Sequence, residues 1–307
     1  MKGVAIFLVV FGHCIQFGNT PEFFAEHNRI FYLIYSFHMP LFALVSGYLF
    51  YWSVSTRNPR EVFIRLCKSF ILPVLTWTVI YTVLQKLSGL WTWSAAAYFK
   101  NVLWFLWAIF LCSSAVLTAR TLFHDSLIFY CLLLCVLMFA PIAATSVFMY
   151  PYFVAGYLWH RDNFSVKIYS EHKLLITVCL VIIWLFMFQF YDKDTLIYGT
   201  KINIFREGRI IFSQIKLDVF RWLIGFAGST AVLAILLLIK PAKFIALIGT
   251  KTLGIYVISR FLDQLLPKTG GYVINFIEAV VITCVCYALS EAISRVKILN
   301  IILFGGR

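Results

Sequence analysis

Two histidines stand where so apolar a chain has little use for them. His13 closes the run Lys2-Gly3-Val4-Ala5-Ile6-Phe7-Leu8-Val9-Val10-Phe11-Gly12-His13, and His38 lies within Ser36-Phe37-His38-Met39-Pro40-Leu41-Phe42. Near neutral pH an imidazole can take up or release a proton, which makes it a candidate general base. On a helix, the eleven steps from Lys2 to His13 return to within roughly 20° of the starting direction and climb about 16 Å. A cation and an imidazole therefore share one face, three turns apart. In the second run Pro40 has no N–H for the carbonyl of Ser36, so the spacing predicts a kink where His38 sits. A polar group at membrane depth costs free energy unless it meets a partner or a cavity. The structural alternative for either histidine is a helix-to-helix hydrogen bond.

The elements that must position them are membrane helices. Hydrophobic residues make up 62% of the 307, charged residues only 13%, and the mean hydropathy is +0.89. Soluble domains run near half apolar and a quarter charged, so this is an integral membrane protein. The net charge of +13 belongs at helix ends facing anionic lipid. It does not point to nucleic acid, because no stretch sets basic residues among polar spacers. The eight cysteines fall mostly inside apolar runs. They read as small buried hydrophobes, with neither a disulfide framework nor a metal site.

Spanning about 30 Å of hydrocarbon takes about twenty residues. Ten runs qualify as candidates, about 2–18, 30–52, 63–85, 101–119, 126–143, 145–160, 173–191, 218–239, 243–265 and 271–291, giving an all-α polytopic protein in one domain over 1–307. The ninth is interrupted by Lys251 and Arg260. With the N-terminus cytoplasmic, fifteen basic residues fall inside, against Arg29, Lys86, Lys100, Arg260 and Lys268 outside plus six in the 192–221 connection. That bias supports both termini inside. The first run lacks a cleavage site after its apolar core and reads as a retained helix, and the natural start could lie a little upstream.

Two groups of cations suit ligands. Arg65 and Lys68, one turn apart ahead of Pro73, can anchor lipid phosphate or grip a phosphate-bearing ligand. The connection Asp192–Arg221 carries Arg206, Arg209 and Arg221, which can form internal ion pairs or hold a polar substrate.

Lys2-Gly3-Val4-Ala5 leading to Gly12-His13, then Phe37-His38-Met39-Pro40-Leu41-Phe42 with Ser46-Gly47-Tyr48-Leu49, resemble the membrane acyltransferase-3 family, especially its fucose 4-O-acetylase-like branch. The resemblance continues in Trp104-Phe105-Leu106, Phe153-Val154-Ala155-Gly156-Tyr157-Leu158, Arg221-Trp222-Leu223-Ile224-Gly225-Phe226-Ala227-Gly228-Ser229 and Thr252-Leu253-Gly254-Ile255-Tyr256. It implies a ten-helix enzyme of the bacterial inner membrane. Such an enzyme moves an acyl group, usually acetyl, from acyl-CoA to a hydroxyl of a cell-surface glycan or its lipid-linked precursor. The family's arginine ahead of the first-helix histidine maps onto Lys2, which keeps the charge and loses the bidentate fork. Many relatives place a histidine near Ser259-Arg260, and no role carries over to Ser259. On this reading His13 and His38 are catalytic and fall at similar depth. Lys2, Arg65 and Lys68 then hold the CoA donor at the cytoplasmic mouth, while Arg206, Arg209 and Arg221 hold the acceptor. A rival class is a transporter or flippase for a glycolipid, which usually shows repeated halves.

Overall fold

A computed structural model describes residues 1–18, 28–89, 94–139, 144–162, 171–197, 205–206, 209–210, 212–239, 242–265 and 271–306. In chain order the helices are α1 (Lys2–Phe17), α2 (Arg29–Tyr35), α3 (His38–Thr56), α4 (Pro59–Leu66), α5 (Leu72–Ser88), α6 (Ala95–Ala97), α7 (Trp104–Phe123), α8 (Leu127–Phe139) and α9 (Ala144–Arg161). They continue as α10 (Lys173–Phe188), α11 (Phe212–Leu238), α12 (Lys243–Thr250), α13 (Thr252–Leu262), α14 (Tyr272–Ser294) and α15 (Lys297–Phe304). Among the described residues the one ladder is a two-residue pairing of β1 (Phe205–Arg206) with β2 (Arg209–Ile210). Helices satisfy their own backbone within one segment, which is what a chain facing lipid requires.

Each of the ten apolar runs meets a helix or helix pair, but length divides them. Among the described residues five stretches are long and apolar enough to cross a membrane, Arg29–Thr56, Pro59–Ser88, Trp104–Phe123, Phe212–Leu238 and Tyr272–Ser294, and the bent pair α12–α13 makes a sixth if counted as one span. Helices α1 and α10 are apolar but shorter. Large apolar side chains are left on outer faces, among them Leu174, Ile182 and Phe186 of α10 and Val273, Ile277 and Val281 of α14. A hydrocarbon solvent can cover such faces and water cannot.

Breaks in the helices fall at the residues that disfavour continuity. The kink expected at His38 is a full break, with Ser36 and Phe37 turning between α2 and α3. Pro40 then stands in the first turn of α3, where its missing N–H is no loss, and the next amide, Leu41, bonds the carbonyl of Phe37 at 2.7 Å. At Lys251 the axis bends by 80° between α12 and α13. A wide π turn, Cys67–Ile71, precedes Pro73. Arg65 lies in the last turn of α4 and Lys68 in the wider turn that follows.

The chain forms two compact units. The first holds Tyr32–Pro59 and Leu111–Ala242, in which α3 packs along α9, α10 along α11, and α11 against α3. At Gly47 a Cβ would collide with the carbonyl of Phe153, and at Gly156 with the carbonyl of Leu44, so α3 and α9 cross backbone to backbone. The second unit holds Lys2–Phe31, Arg60–Phe110 and Lys243–Arg307. There α1 packs on α14, α12 and α13, while α15 lies on α5.

Candidate functional site

Within the second unit, α1 brings His13 against the end of α13. Its Nδ1 lies 3.0 Å from Asp263 Oδ2, with the aspartate side chain fully buried and the histidine 15% exposed. The approach is an ion-pair distance outside hydrogen-bond geometry, and neither oxygen of Asp263 has a hydrogen-bond partner. Arg260, one turn before Asp263, is also buried, its Nη1 3.8 Å from Asp263 Oδ2 and itself without a hydrogen bond. The guanidinium lies over the Phe17 ring, 4.8 Å from its centre. Buried tyrosines fix the helix that carries Arg260: Tyr81 donates to the carbonyl of Val257, and Tyr256 donates to the carbonyl of Val102 at 3.1 Å. A carboxylate beside Nδ1 favours the tautomer with the proton on that nitrogen, which leaves the Nε2 lone pair for a substrate proton.

Further along α1, Asn275 Oδ1 and Glu278 Oε2 approach to 3.2 and 3.3 Å of where a Cβ on Gly18 would stand. Both Glu278 oxygens are buried without hydrogen bonds. A carboxyl in that state within an apolar helix is a candidate functional residue by the same argument as the histidines.

His38 belongs to the first unit, and its surroundings are orderly. Its Nδ1 is 2.8 Å from the carbonyl of Ile34, four residues back. Because a carbonyl can only accept, Nδ1 carries the proton, and in the neutral ring the lone pair is on Nε2. Tyr35 meets the ring edge-on at 4.5 Å. The turn ahead of it is clamped by Trp184 Nε1, which donates to Ser36 Oγ at 3.1 Å, and by Ser229 Oγ, which donates to the carbonyl of Phe37 at 3.3 Å. At Gly228 a Cβ would stand 2.7 Å from both Phe37 and Trp184. The Gly-Phe-Ala-Gly-Ser run of α11 thus holds the break that presents His38.

The cations named from the sequence lie on several separate elements. Lys2 begins α1 at a close crossing with α12, where Gly3 lies on the carbonyl of Ile245. Arg65 and Lys68 are exposed on α4 and the π turn. Arg206 and Arg209 pair through their backbones across the two-residue ladder, and their side chains lie outside the described set. Arg221 is engaged in a local network: Nη1 donates to Asp218 Oδ1 at 2.8 Å, Nη2 to the carbonyl of Asp194 at 2.6 Å and Nε to that of Thr195 at 3.2 Å. Gln214 adds a bond to the same Asp218 oxygen at 3.1 Å. Arg260, counted among the outside cations in the sequence, is a buried helical residue.

Asp263 and Arg260 are the residues that sequence reasoning passed over. Their signal was an acid and a base one turn apart inside an apolar run, a pattern as costly in lipid as a lone histidine.

Comparison with known proteins comes to the same region of chemistry. A family model described as an acyltransferase domain matches residues 1–295. Two relatives are each named nodulation protein NolL. The one from Mesorhizobium japonicum is 24% identical over 293 residues, covering 84% of this chain and 73% of the relative. The one from Sinorhizobium fredii is 27% identical over 286 residues, covering 84% of this chain and 75% of the relative. No solved structure matches.

Proposed function

Since the chain belongs to the acyltransferase domain family, we propose that it is an O-acetyltransferase of the bacterial inner membrane. It takes acetyl from acetyl-CoA on the cytoplasmic side and places it on a hydroxyl of a cell-surface glycan or lipid-linked sugar, a fucose-like residue being the first candidate. Ten spans with both termini inside suit this reading, supported by the ten apolar runs of the sequence and by the basic bias of the inside loops.

The observation that carries the chemistry is the His13–Asp263 pair, 3.0 Å apart and buried. His13 Nε2 accepts the acceptor's hydroxyl proton as its oxygen attacks the thioester carbon. The same proton then passes to the CoA sulfur as the C–S bond breaks, leaving ester and free thiol. Asp263 holds the ring's tautomer and balances the imidazolium formed between the two steps. His38, its Nδ1 already committed to the carbonyl of Ile34, is the second candidate base and would act through Nε2. Lys2, Arg65 and Lys68 meet the CoA phosphates at the cytoplasmic mouth, and Arg206 and Arg209 meet the acceptor. Arg221, with its three bonds to Asp218 and the 194–195 backbone, frames the outer loop for them.

The test is CoA thiol release by the protein in nanodiscs, given acetyl-CoA and a panel of 4-nitrophenyl glycosides, with ester formation read by mass. His13→Ala should lower transfer by about 10²- to 10⁴-fold with the protein still folded. Transfer at the wild-type rate by that variant removes His13 from the mechanism.

A further inference from the structure

We propose that Arg260 is a further catalytic residue, the group that holds the oxyanion of the tetrahedral intermediate; the role rests on the acyl-CoA reading above. A buried guanidinium is strongly disfavoured unless hydrogen bonds and an opposing charge compensate it. At Arg260 the opposing charge is present and Nη1 lacks the bond. Its side chain is 10% exposed, Asp263 is 3.8 Å away, and Nη1 is buried without a hydrogen-bond partner. The Phe17 ring at 4.8 Å covers a face of the guanidinium and leaves its N–H edge for hydrogen bonding. The position is rigid, since α13 is fixed by Tyr81 on the carbonyl of Val257 and by Tyr256 on that of Val102.

Charge accounting gives the donor its use. With His13 neutral, Arg260 and Asp263 cancel. When the acceptor oxygen bonds to the thioester carbon, the hydroxyl proton moves to His13 Nε2 and the carbonyl electron pair moves onto oxygen. The three side chains then carry one net positive charge and the intermediate one negative. Collapse returns the electron pair to the carbonyl, expels sulfur with the proton from His13, and restores the neutral set. Arg260 is thus uncompensated only while the oxyanion exists, which is the condition for stabilising the intermediate over the bound substrates. His13 and Asp263 alone, as imidazolium and carboxylate, would offer no net charge at that moment.

The experiment compares two donors, acetyl-CoA and fluoroacetyl-CoA, with 4-nitrophenyl α-L-fucopyranoside as acceptor and CoA thiol release as readout, on the full chain in nanodiscs. For Arg260→Gln we expect kcat with acetyl-CoA to fall about 10²- to 10³-fold, the loss typical of one oxyanion donor, with KM for the donor little changed. The loss should be clearly smaller with fluoroacetyl-CoA, because fluorine itself carries part of the oxyanion's charge. Equal losses with both donors mean a distorted site and overturn the role. Arg260→Lys keeps the charge that Asp263 faces, and should recover part of kcat with the same donor dependence. If the glutamine variant does not assemble, the lysine variant decides by the same comparison. A silent His13→Ala beside a wild-type Arg260→Gln overturns the oxyanion role alone. A wild-type protein that releases no CoA from either donor overturns the acyl-CoA reading, and this role with it.

Discussion

Asp218 and Arg221 in α11 lie one helical turn apart, as do Arg260 and Asp263 at the end of α13, with the order reversed. In the first pair the guanidinium is spent. It donates to Asp218 at 2.8 Å and to the carbonyls of Asp194 and Thr195, and Gln214 adds a further bond to the carboxylate. In the second pair the groups stand 3.8 Å apart, both carboxylate oxygens and the arginine Nη1 lack hydrogen bonds, and an imidazole has been brought to 3.0 Å. The same two residue types at the same spacing are therefore bonded to different degrees. Asp218 Oδ2 still lacks a hydrogen bond, but every guanidinium nitrogen of Arg221 has one, so this pair holds backbone in place and breaking it leaves a charge uncompensated. A pair kept short of hydrogen bonds has capacity left for a reacting group. The distinction is in the partners of each atom, and neither charge nor burial alone would draw it.

Three substitutions test how far the contrast runs. The largest effect is expected for Asp263→Asn, which keeps shape and removes the charge that steers His13. Transfer should fall about 10²- to 10⁴-fold while the protein remains extractable and folded, as measured by CoA release beside thermal unfolding in detergent. A variant that unfolds in proportion to its lost activity would put this pair in the same class as the one in α11. Next is Arg221→Ala, expected to cost about 3–5 kcal/mol of stability by leaving Asp218 buried and unpaired. Unfolding curves should report this as a lowered midpoint whichever donor is present, and a midpoint unmoved by the change would mean that the α11 pair is not structural. The smallest effect belongs to the exposed cations. Arg65→Ala and Lys68→Ala should raise the apparent Michaelis constant for acetyl-CoA by about ten- to a hundred-fold at constant acceptor affinity, the worth of about 1.5–3 kcal/mol for a charged hydrogen bond to phosphate. A change confined to acceptor kinetics would separate these residues from the donor.

Much of this was legible in the residues themselves. Apolar runs marked the helices, because hydropathy is a local property. Pro40 marked the break before His38 because a missing N–H acts on its own turn. Lys251 marked the bend in the ninth run. His13 stood out because an imidazole in an apolar run needs a reason. Its partner could not be read in the same way, because Asp263 is 250 positions away and nothing in the spacing says which turn of which helix will meet α1. Counting charge by loops also placed Arg260 outside, since a tally of sidedness treats each cation as solvated. The clamp of Trp184 and Gly228 on the turn before His38 was hidden for the same reason. Periodicity tells which residues share a face, and the contact that gives a face its purpose is made in three dimensions.

Because Gly47 and Gly156 let α3 and α9 meet through main-chain atoms, the gauge between those helices is set by the polypeptide itself and not by the bulk of any side chain along them. Lipid tails are as apolar as leucine, so the residues around such a crossing can drift in size and identity without changing the distance at which the helices run. Two small positions then act as a fixed bearing for an otherwise replaceable surface. Side chains along α3 and α9 can change while the two helices keep their alignment.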